Sequence, residues 1–349
     1  MEFGVFIPGH WIDHTKSARQ LYDEMLAEAV SADELGFDCV WLAEHYAIDY
    51  IAIPDPLQFA TRIFEHTERI HAGVAVLILR NHHPIKLAAE LSQIDVMFDG
   101  RFEAALGRGA SGFELRQMQF DMPEPESRQH FKEHLEVMAA LWKTQGATAY
   151  DGEYFAFDNA AIMPPPYSVQ PPFHLAAVGV ESIRHQVRRC HDIGIPVKVM
   201  TTALREDLDY VQQRYDAFTQ TLQQVGASRS ESRFTVNRVT YVADTDKQAL
   251  EVMPALTKLH RGLVHMLSDT ETIVDGVMQY PPVPHEISEQ EMFDTCLIGS
   301  PETVRRKVQD YYDMGVDHLI AYVHMGQPHE QVMRSMALFA NEVMPAFRS

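Results

Sequence analysis

Short apolar runs alternate with longer amphipathic stretches along most of the chain. Eight runs have the length and the β-branched or aromatic content of strands: Glu2–Ile7, Cys39–Ala43, Ile70–Leu79, Phe102–Leu106, Phe173–Val178, Val197–Met200, Thr235–Val242 and His318–Val323. Stretches between them have helical spacing: Ser17–Leu35, Pro84–Met97, Gln129–Trp142, Arg205–Val225, Asp246–Leu259 and Pro301–Met314. A strand and a helix repeated eight times predict an α/β fold, a single (β/α)8 or TIM barrel.

Glycines mark the ends of three of the predicted helices. Gly36, Gly194 and Gly315 each follow a helical stretch and precede a strand, in segments of very similar sequence. A left-handed glycine is a common helix terminus, and a barrel repeats the same helix-to-strand turn around its lower rim. The spacing therefore supports the barrel.

Two segments exceed a minimal barrel of about 250 residues. Residues 150–172 contain aromatics and two proline runs, and predict a short hairpin followed by an extended approach to the fifth strand. Residues 260–298 predict an active-site lid, with inert surface decoration as the alternative. We expect one barrel domain over residues 1–349 that carries both insertions.

Charge and cysteine content narrow the possible partners. The chain has 29 basic and 49 acidic residues, a formal charge of -20, and no Lys/Arg run, which disfavours nucleic acid and anionic membranes as partners. No apolar segment reaches the roughly 20 residues of a membrane span, and no secretory signal is apparent. We expect a soluble, cytoplasmic protein. Its cysteines, Cys39, Cys190 and Cys296, indicate neither a disulfide framework nor a metal site.

The second predicted strand ends in a cluster of titratable residues. Glu44, His45 and Tyr46 directly follow the buried run that begins at Cys39. In a parallel barrel they stand at the carboxyl end of the strand, where barrel enzymes keep their active sites. An imidazole can transfer a proton near neutral pH, so His45 is a candidate catalytic residue, although a lone histidine near a core is more often structural.

Two further strand ends predict anion binding. Gly107-Arg108-Gly109 follows the fourth strand, where glycines permit close approach and an arginine suits a phosphate. Residues 176–183 lead from the fifth strand into a helix, whose first amides can hold an anion, and Ser182 can donate its hydroxyl. A turn with a solvated arginine and a helix-capping serine are the respective alternatives.

Adjacent histidines follow the third strand. His82 and His83 invite a metal hypothesis, but the first strand contains no ligand, since His10 and His14 lie in the loop after it. We therefore predict no metal site and interpret the pair as pocket lining or a feature of helix entry.

Several ordered motifs resemble the bacterial luciferase-like family of flavin-dependent monooxygenases nearly end to end. The residues that carry the resemblance are Phe3-Gly4-x-Phe6, Gly36-Phe37-Asp38-x-Val40-Trp41-Leu42-x-Glu44-His45, Gly73 to Leu79 leading into His83-Pro84, Asp95 with Gly100-Arg101-Phe102, Gly107-Arg108-Gly109, Pro164 to Pro172, and Val343-Met344-Pro345. The family fold is an eight-stranded β/α barrel, in agreement with the strand count.

This resemblance implies a two-component monooxygenase. A separate reductase would supply reduced FMN, which reacts with dioxygen to form a flavin 4a-hydroperoxide that oxygenates a small organic substrate. By matching position, His45 is the catalytic histidine and Glu44 its neighbour. We expect the peroxide to attack the carbonyl of an aldehyde or ketone, with His45 managing the proton and Tyr46 orienting the substrate oxygen. The 260–298 insertion matches the family's mobile active-site loop.

The resemblance also implies the cofactor site. Arg108 matches the phosphate-binding arginine, Glu114 an acidic position beyond it, and Ala75-Val76 a non-prolyl cis peptide against the flavin ring. The expected cofactor-binding residues are Ala75, Val76, Gly107, Arg108, Gly109, Glu114, Val178, Gly179, Val180 and Ser182.

Some positions depart from the light-emitting α subunit of the family. Tyr46 stands where that subunit has a second histidine, Gly107 where it has a cysteine and Ser111 where it has a tyrosine, so light emission is not expected. Two alternatives stay open: deazaflavin-dependent hydride transfer on the same fold, and a flavin-binding partner subunit without catalysis.

A homodimer or larger homo-oligomer is expected from the family. Its candidate interface faces are Leu57-x-x-Ala60-x-x-Ile63 and Leu87–Leu91. Burial of these faces in the core of the monomer is the alternative.

Overall fold

A closed parallel barrel forms the centre of the protein. The computed structural model describes residues 1–109, 111–120, 122–144, 146–204, 206–270 and 272–348. Its strands are β1 Glu2–Phe6, β2 Cys39–Leu42, β3 His71–Ile78, β4 Phe102–Gly107, β5 Thr148–Asp151, β6 Ala156–Ala160, β7 Phe173–Ala176, β8 Lys198–Thr202, β9 Arg233–Val242, β10 Ile273–Val274, β11 Val277–Met278, β12 Leu297–Gly299 and β13 His318–Tyr322.

Eight of these strands close the barrel. The hydrogen-bonded order is β13-β1-β2-β3-β4-β7-β8-β9, and β9 pairs back with β13, all in parallel. These are the eight apolar runs of the sequence, so the predicted (β/α)8 fold is confirmed. Short continuous apolar runs identified the strands because both faces of a parallel barrel strand are covered.

One parallel strand was missed. The three residues of β12 pair with Thr240–Val242 of β9, beyond the part of β9 that pairs with β13. Its first two residues belong to the segment assigned to the lid insertion, 260–298, whose end is therefore part of the sheet. Three residues are too few for apolar periodicity to reveal a strand.

Helices surround the barrel. They are α1 Ala18–Glu34, α2 Pro56–Phe64, α3 Pro84–Met97, α4 Gly112–Gln117, α5 Glu124–Lys143, α6 Val180–Ile193, α7 Leu208–Val225, α8 Asp246–Ala249, α9 Met253–Leu267, α10 Glu289–Thr295, α11 Pro301–Met314 and α12 His329–Leu338. The predicted limits of α3 and α11 are confirmed, whereas the start predicted for α7, Arg205, lies outside the described residues. Gly36, Gly194 and Gly315 have the predicted left-handed φ of +88°, +66° and +93°.

Trp41 of β2 fills the lower barrel. Its ring centroid lies 5.4 Å from that of His174 on β7 and 6.0 Å from that of His318 on β13. These strands lie on different sides of the barrel, so the three rings meet in its interior. The space exists because β1 and β3 present glycines there: a Cβ at Gly4 would lie 2.6 Å from His318 Nε2, and one at Gly73 2.6 Å from Trp41.

Both predicted insertions contain local structure. In the first, β5 and β6 form an antiparallel pair ahead of the proline-rich approach to β7. In the second, α9 extends to Leu267, and β10 and β11 form a small hairpin. The segment therefore begins as a barrel helix and not as a loop.

The apolar residues of the predicted interface faces favour the alternative, burial in the core of the monomer, and the oligomeric state stays a prediction. Ala60, Ile63, Leu87 and Leu91 are fully buried within this single chain, where they pack against the barrel, whereas Leu57, Ala89 and Glu90 are partly accessible. A helix stripe that covers the barrel has the same apolar spacing as a stripe that binds a second subunit, which is why the sequence did not separate them.

Two expectations concern the chain as a whole. The three cysteines are free and buried. Among the helices of the described residues, none is both long enough and apolar enough to cross a membrane.

Candidate active site

The loops after β2, β3, β4 and β7 carry the candidate residues. These strands are consecutive neighbours in the barrel, so their carboxyl ends lie along one arc of the same rim. Neighbouring strands are about 4.8 Å apart, which puts the ends of β2 and β4 about 10 Å from each other. The arc brings together most of the residues that the sequence singled out.

His45 is held by a carboxylate from another loop. Its Nδ1 lies 2.8 Å from Glu114 Oε2, and the second oxygen of Glu114 accepts a hydrogen bond from the Tyr46 backbone N–H. The side chains of His45 and Glu114 are 16% and 5% exposed. A carboxylate that accepts from Nδ1 fixes the ring and leaves Nε2 as the nitrogen available to a ligand.

Glu44 joins the loops after β2 and β3. Its side chain is fully buried and accepts hydrogen bonds from the backbone N–H of Ile78 (2.6 Å), from His82 Nε2 (2.9 Å) and from the Tyr46 hydroxyl. Three donors satisfy a buried carboxylate. Glu44 therefore positions the ends of β2 and β3, and its predicted catalytic role stays a prediction.

Tyr46 has its hydroxyl proton engaged by Glu44. Burial, with the nearby Glu44 charge, raises the pKa of Tyr46, so the side chain is a neutral phenol. It borders a cavity of about 340 Å³ between α2 and α3. Its predicted role in orienting a substrate oxygen is untested, and the proton required for that role is already donated.

The end of β3 approaches the loop after β4 closely. The Ala75–Val76 peptide is cis, the geometry that the sequence predicted for this position. A Cβ at Gly107 would lie 2.8 Å from a Val76 methyl group, and Gly109 has a φ of +82°. Gly107 therefore permits the close approach of Val76, and Gly109 permits the left-handed turn after β4, while contact of Ala75 and Val76 with a flavin stays a prediction.

Basic side chains line a cavity at the ends of β4 and β7. Its volume is about 340 Å³, and its lining residues are Arg108, Arg128, Glu181, Ser182, His185, Gln186 and Arg189. Arg108 and Arg128 both bond Glu124 at 2.9 Å. Burial lowers the pKa of Arg189, and the positive charges of Arg108 and Arg128 lower it further. In a chain with a net charge of -20, this cavity concentrates positive charge and suits an anion.

The first turn of α6 borders the same cavity. Ser182 Oγ accepts from the Gly179 backbone N–H at 2.9 Å and donates to the Gly179 carbonyl at 2.7 Å, so this side chain caps the helix, and its contact with a cofactor stays a prediction. Val178, by contrast, is 64% exposed. An exposed valine beside an arginine-lined cavity is available to pack against a ligand, but its contact with a cofactor stays a prediction.

The predicted lid is fastened to loops at this rim. The backbone N–H of Met278 donates to Asp49 Oδ1 at 2.7 Å, and the backbone N–H of Asp49 donates to the Gly276 carbonyl at 2.9 Å. Arg116 of α4 pairs with Asp269 at 2.7 Å. The segment from 260 to 298 therefore contacts the loops that carry His45 and Glu114.

The model of the family described as luciferase-like monooxygenase matches residues 1–318. The chain belongs to this family. The match covers the first seven barrel strands and ends at His318, the first residue of β13, and it confirms the relationship that the motifs indicated. The chain is accordingly an oxidoreductase.

Two known proteins resemble this chain along nearly its full length. The oxygenase component of the flavin-dependent trigonelline monooxygenase of Acinetobacter baylyi is 26% identical over 363 aligned residues, which cover 99% of this chain and 96% of that protein. An F420-dependent glucose-6-phosphate dehydrogenase of Microbacterium testaceum is 25% identical, over 93% of this chain and 94% of that protein. The matches thus include both monooxygenases and deazaflavin-dependent dehydrogenases.

A solved luciferase-like structure has the same fold. The oxygenating constituent of 3,6-diketocamphane monooxygenase of Pseudomonas putida, a Baeyer-Villiger enzyme in complex with FMN, superposes with a TM-score of 0.79 at 21% identity and covers 100% of this chain and 99% of that one.

The candidate site also includes residues that the sequence analysis missed. His82 was not linked with Glu44, and Arg128, His185 and Arg189 were not linked with Arg108. A signal existed for α6, because Ser182, His185 and Arg189 recur every three or four residues and therefore share one helix face. No local pattern connects His45 with Glu114, which lie 69 positions apart.

Proposed function

We propose that this chain is the oxygenase component of a two-component, flavin-dependent monooxygenase. It would take reduced FMN from a separate reductase and use dioxygen to oxygenate a small organic substrate, an aldehyde or a ketone. The observation that supports this proposal is the placement of an oriented imidazole and an arginine-lined cavity on one arc of the barrel rim, about two strands apart.

The residues present fit a flavin mononucleotide. The cavity at Arg108 and Arg189 offers positive charge for a dianionic phosphate, with the N-terminus of α6 beside it. Between the cavity and His45 lie Gly107 and Gly109, where the chain carries no side chain that would fill the space above Val76 and Ile78. When bound, reduced FMN supplies the electrons that activate dioxygen.

His45 would move the proton of the reaction. Glu114 holds Nδ1, so Nε2 is the nitrogen that faces outward and can take or return a proton at the substrate oxygen. Through its bonds to Ile78 and His82, Glu44 would hold the end of β2 against the end of β3. The segment from 260 to 298 would exclude water, which protects reactive intermediates from side reactions with water.

Hydride transfer with a deazaflavin is the second candidate function. It is supported by the F420-dependent relatives and by the same oriented histidine, which would serve equally as an acid or base. The two functions differ in their use of dioxygen, because hydride transfer consumes none.

The deciding experiment measures cofactor affinity and oxygen use together. The protein is titrated with FMN and with F420, and the reduced complexes are then mixed with aerated buffer and a panel of aldehydes and ketones. Tighter binding of FMN, with a product that gains one oxygen atom from 18O2, supports the monooxygenase. Reduction of an aldehyde or ketone to its alcohol by reduced F420, with no incorporation of oxygen, would reject it, and binding of neither cofactor would reject both functions.

A further inference from the structure

A second pair of polar side chains lies in the barrel mouth. His318, Ile320 and Tyr322 alternate on one face of β13, and His318 touches Trp41 in the barrel interior. Tyr322 therefore points into the barrel at its carboxyl end, where the ring of Phe6 lies 4.8 Å from it. This residue plays no part in the chemistry assigned to His45.

His10 sets the direction of the Tyr322 hydroxyl. The Nδ1 of His10 contacts the carbonyl oxygen of Tyr50, and Nε2 lies 2.6 Å from the Tyr322 hydroxyl oxygen. A carbonyl only accepts, so Nδ1 carries the proton. Burial lowers the pKa of His10 to about 3, so Nε2 keeps its lone pair and Tyr322 must donate to it. The phenolic oxygen of Tyr322 is then left as an acceptor.

The pair is continuous with the candidate active site. The ring of Tyr50 lies 4.9 Å from that of His10 and 6.5 Å from that of His45. Tyr280, from the segment 260–298, lies near Tyr50, because both tyrosine rings lie against Gly262. Within the described residues the buried hydroxyl of Tyr280 has no hydrogen-bond partner. Buried polar atoms without partners point to a missing partner such as a ligand or an ordered water.

We propose that Tyr322, positioned by His10, accepts a hydrogen bond from a hydroxyl or N–H group of the organic substrate. The inference rests on the proposed function for the identity of the bound cofactor, and it narrows the substrate to carbonyl compounds that also carry such a donor. A site that leaves a buried acceptor unpaired discriminates against analogues without the donor. Tyr322 is thus a specificity-determining residue and His10 a positioning residue.

The test compares matched compounds that differ in one hydrogen-bond donor. Hydroxy- and methoxy-substituted benzaldehydes and cyclohexanones are bound to the protein loaded with oxidised FMN, and each dissociation constant is measured by calorimetry without turnover. We expect the hydroxyl member of a pair to bind about tenfold more tightly, the effect of one hydrogen bond. In Tyr322→Phe the two members of a pair should bind equally, while the ring at position 322 keeps its packing on Phe6.

Two further variants make the test specific. Tyr241→Phe removes the hydroxyl of another buried tyrosine of the barrel, on β9, and should keep the ratio. His10→Phe frees the Tyr322 proton, so the methoxy member should gain affinity relative to the hydroxyl member. Equal affinities in the unmodified protein, absence of binding across the panel, or an unchanged ratio in Tyr322→Phe would overturn the inference. If the hydroxyl compounds bind more tightly than the methoxy compounds as expected but no oxygenated product forms, only the proposed function is rejected.

Discussion

At the scale of single residues, the candidate chemistry rests on pairs from distant parts of the chain. His45 was identified by its place at the end of a strand, but the atom that would react was not. The contact with Glu114 shows which nitrogen is free, and the contacts of Glu44 show that its carboxylate serves the neighbouring loop. Glu114, expected at the cofactor, is bonded to the imidazole.

Removal of the imidazole should separate binding from oxygenation. In His45→Ala we expect FMN affinity to stay within about threefold, while the yield of oxygenated product falls by a hundredfold or more, the usual contribution of positioned proton transfer. Hydrogen peroxide should replace the product. Parallel assays of peroxide and product provide the measurement, and His66→Ala, an exposed histidine after α2, is the control. An unchanged product yield would remove His45 from the mechanism.

Glu114→Gln tests the orienting carboxylate with little change of shape. A charge-assisted hydrogen bond contributes about 1.5–3 kcal/mol, so kcat should fall roughly 10- to 100-fold. The loss should be smaller than that of His45→Ala, and the double variant should be no worse than His45→Ala alone. If the two losses multiply, Glu114 acts independently of the imidazole.

Arg108 should act on the phosphate and on nothing else. In Arg108→Ala we expect the dissociation constant of FMN to rise about 10- to 100-fold, as for the loss of one charge-assisted bond, and that of riboflavin to stay unchanged. Flavin fluorescence titrations measure both constants. Arg19→Ala, an exposed arginine paired with Asp23 on α1, is the control. If the dissociation constants of FMN and riboflavin rose equally, Arg108 would contact the isoalloxazine ring and not the phosphate.

At the scale of elements, the sequence was most informative where a pattern is local. The eight barrel strands were predicted from short apolar runs, and the glycines after α1, α6 and α11 from the left-handed conformation that ends a helix. Both patterns depend on a few neighbouring residues. It was least informative where partners are remote. Strand β12 exists because β9 extends past β13, and the buried faces of α2 and α3 depend on what covers them.

The packing of Trp41 explains why β3 contains a glycine. A Cβ at Gly73 would lie 2.6 and 2.7 Å from two atoms of the Trp41 ring and 3.1 Å from the Glu103 carbonyl oxygen, and the backbone of neither strand can yield. Gly73→Ala should therefore lower the free energy of unfolding by about 1–3 kcal/mol.

Urea unfolding followed by tryptophan fluorescence measures this effect. The matched control is Gly146→Ala, where a Cβ would have nothing within 4 Å. A Gly73→Ala protein as stable as the control would show that Trp41 can move and does not fix the lower barrel.

At the scale of the whole molecule, a buried charge joins the two ends of the chain. Glu28 of α1 is fully buried, and its carboxylate contacts His329 at 3.0 Å and His324 at 3.5 Å, on the segment after the last barrel strand. Glu28 and His329 lie 301 positions apart. Burial alone would raise the pKa of Glu28, but the two imidazoles lower it to about 2, and the bond to Glu28 raises the pKa of His329 above 6.5.

The stabilisation from this cluster should depend on pH in both directions. The stabilisation from the lowered pKa of Glu28 is present above about pH 4.5 and is lost as the pH falls toward 2. The stabilisation from the raised pKa of His329 is present below pH 6.5 and is lost as the pH rises through the pKa of His329 in the folded protein. Glu28→Gln should thus destabilise the protein most near pH 5.5, on the order of 3 kcal/mol, and less at pH 8.5. Urea unfolding at both pH values measures the difference, with Glu330→Gln as the exposed control. A loss of stability independent of pH would mean that packing, and not charge, holds α1 against the barrel.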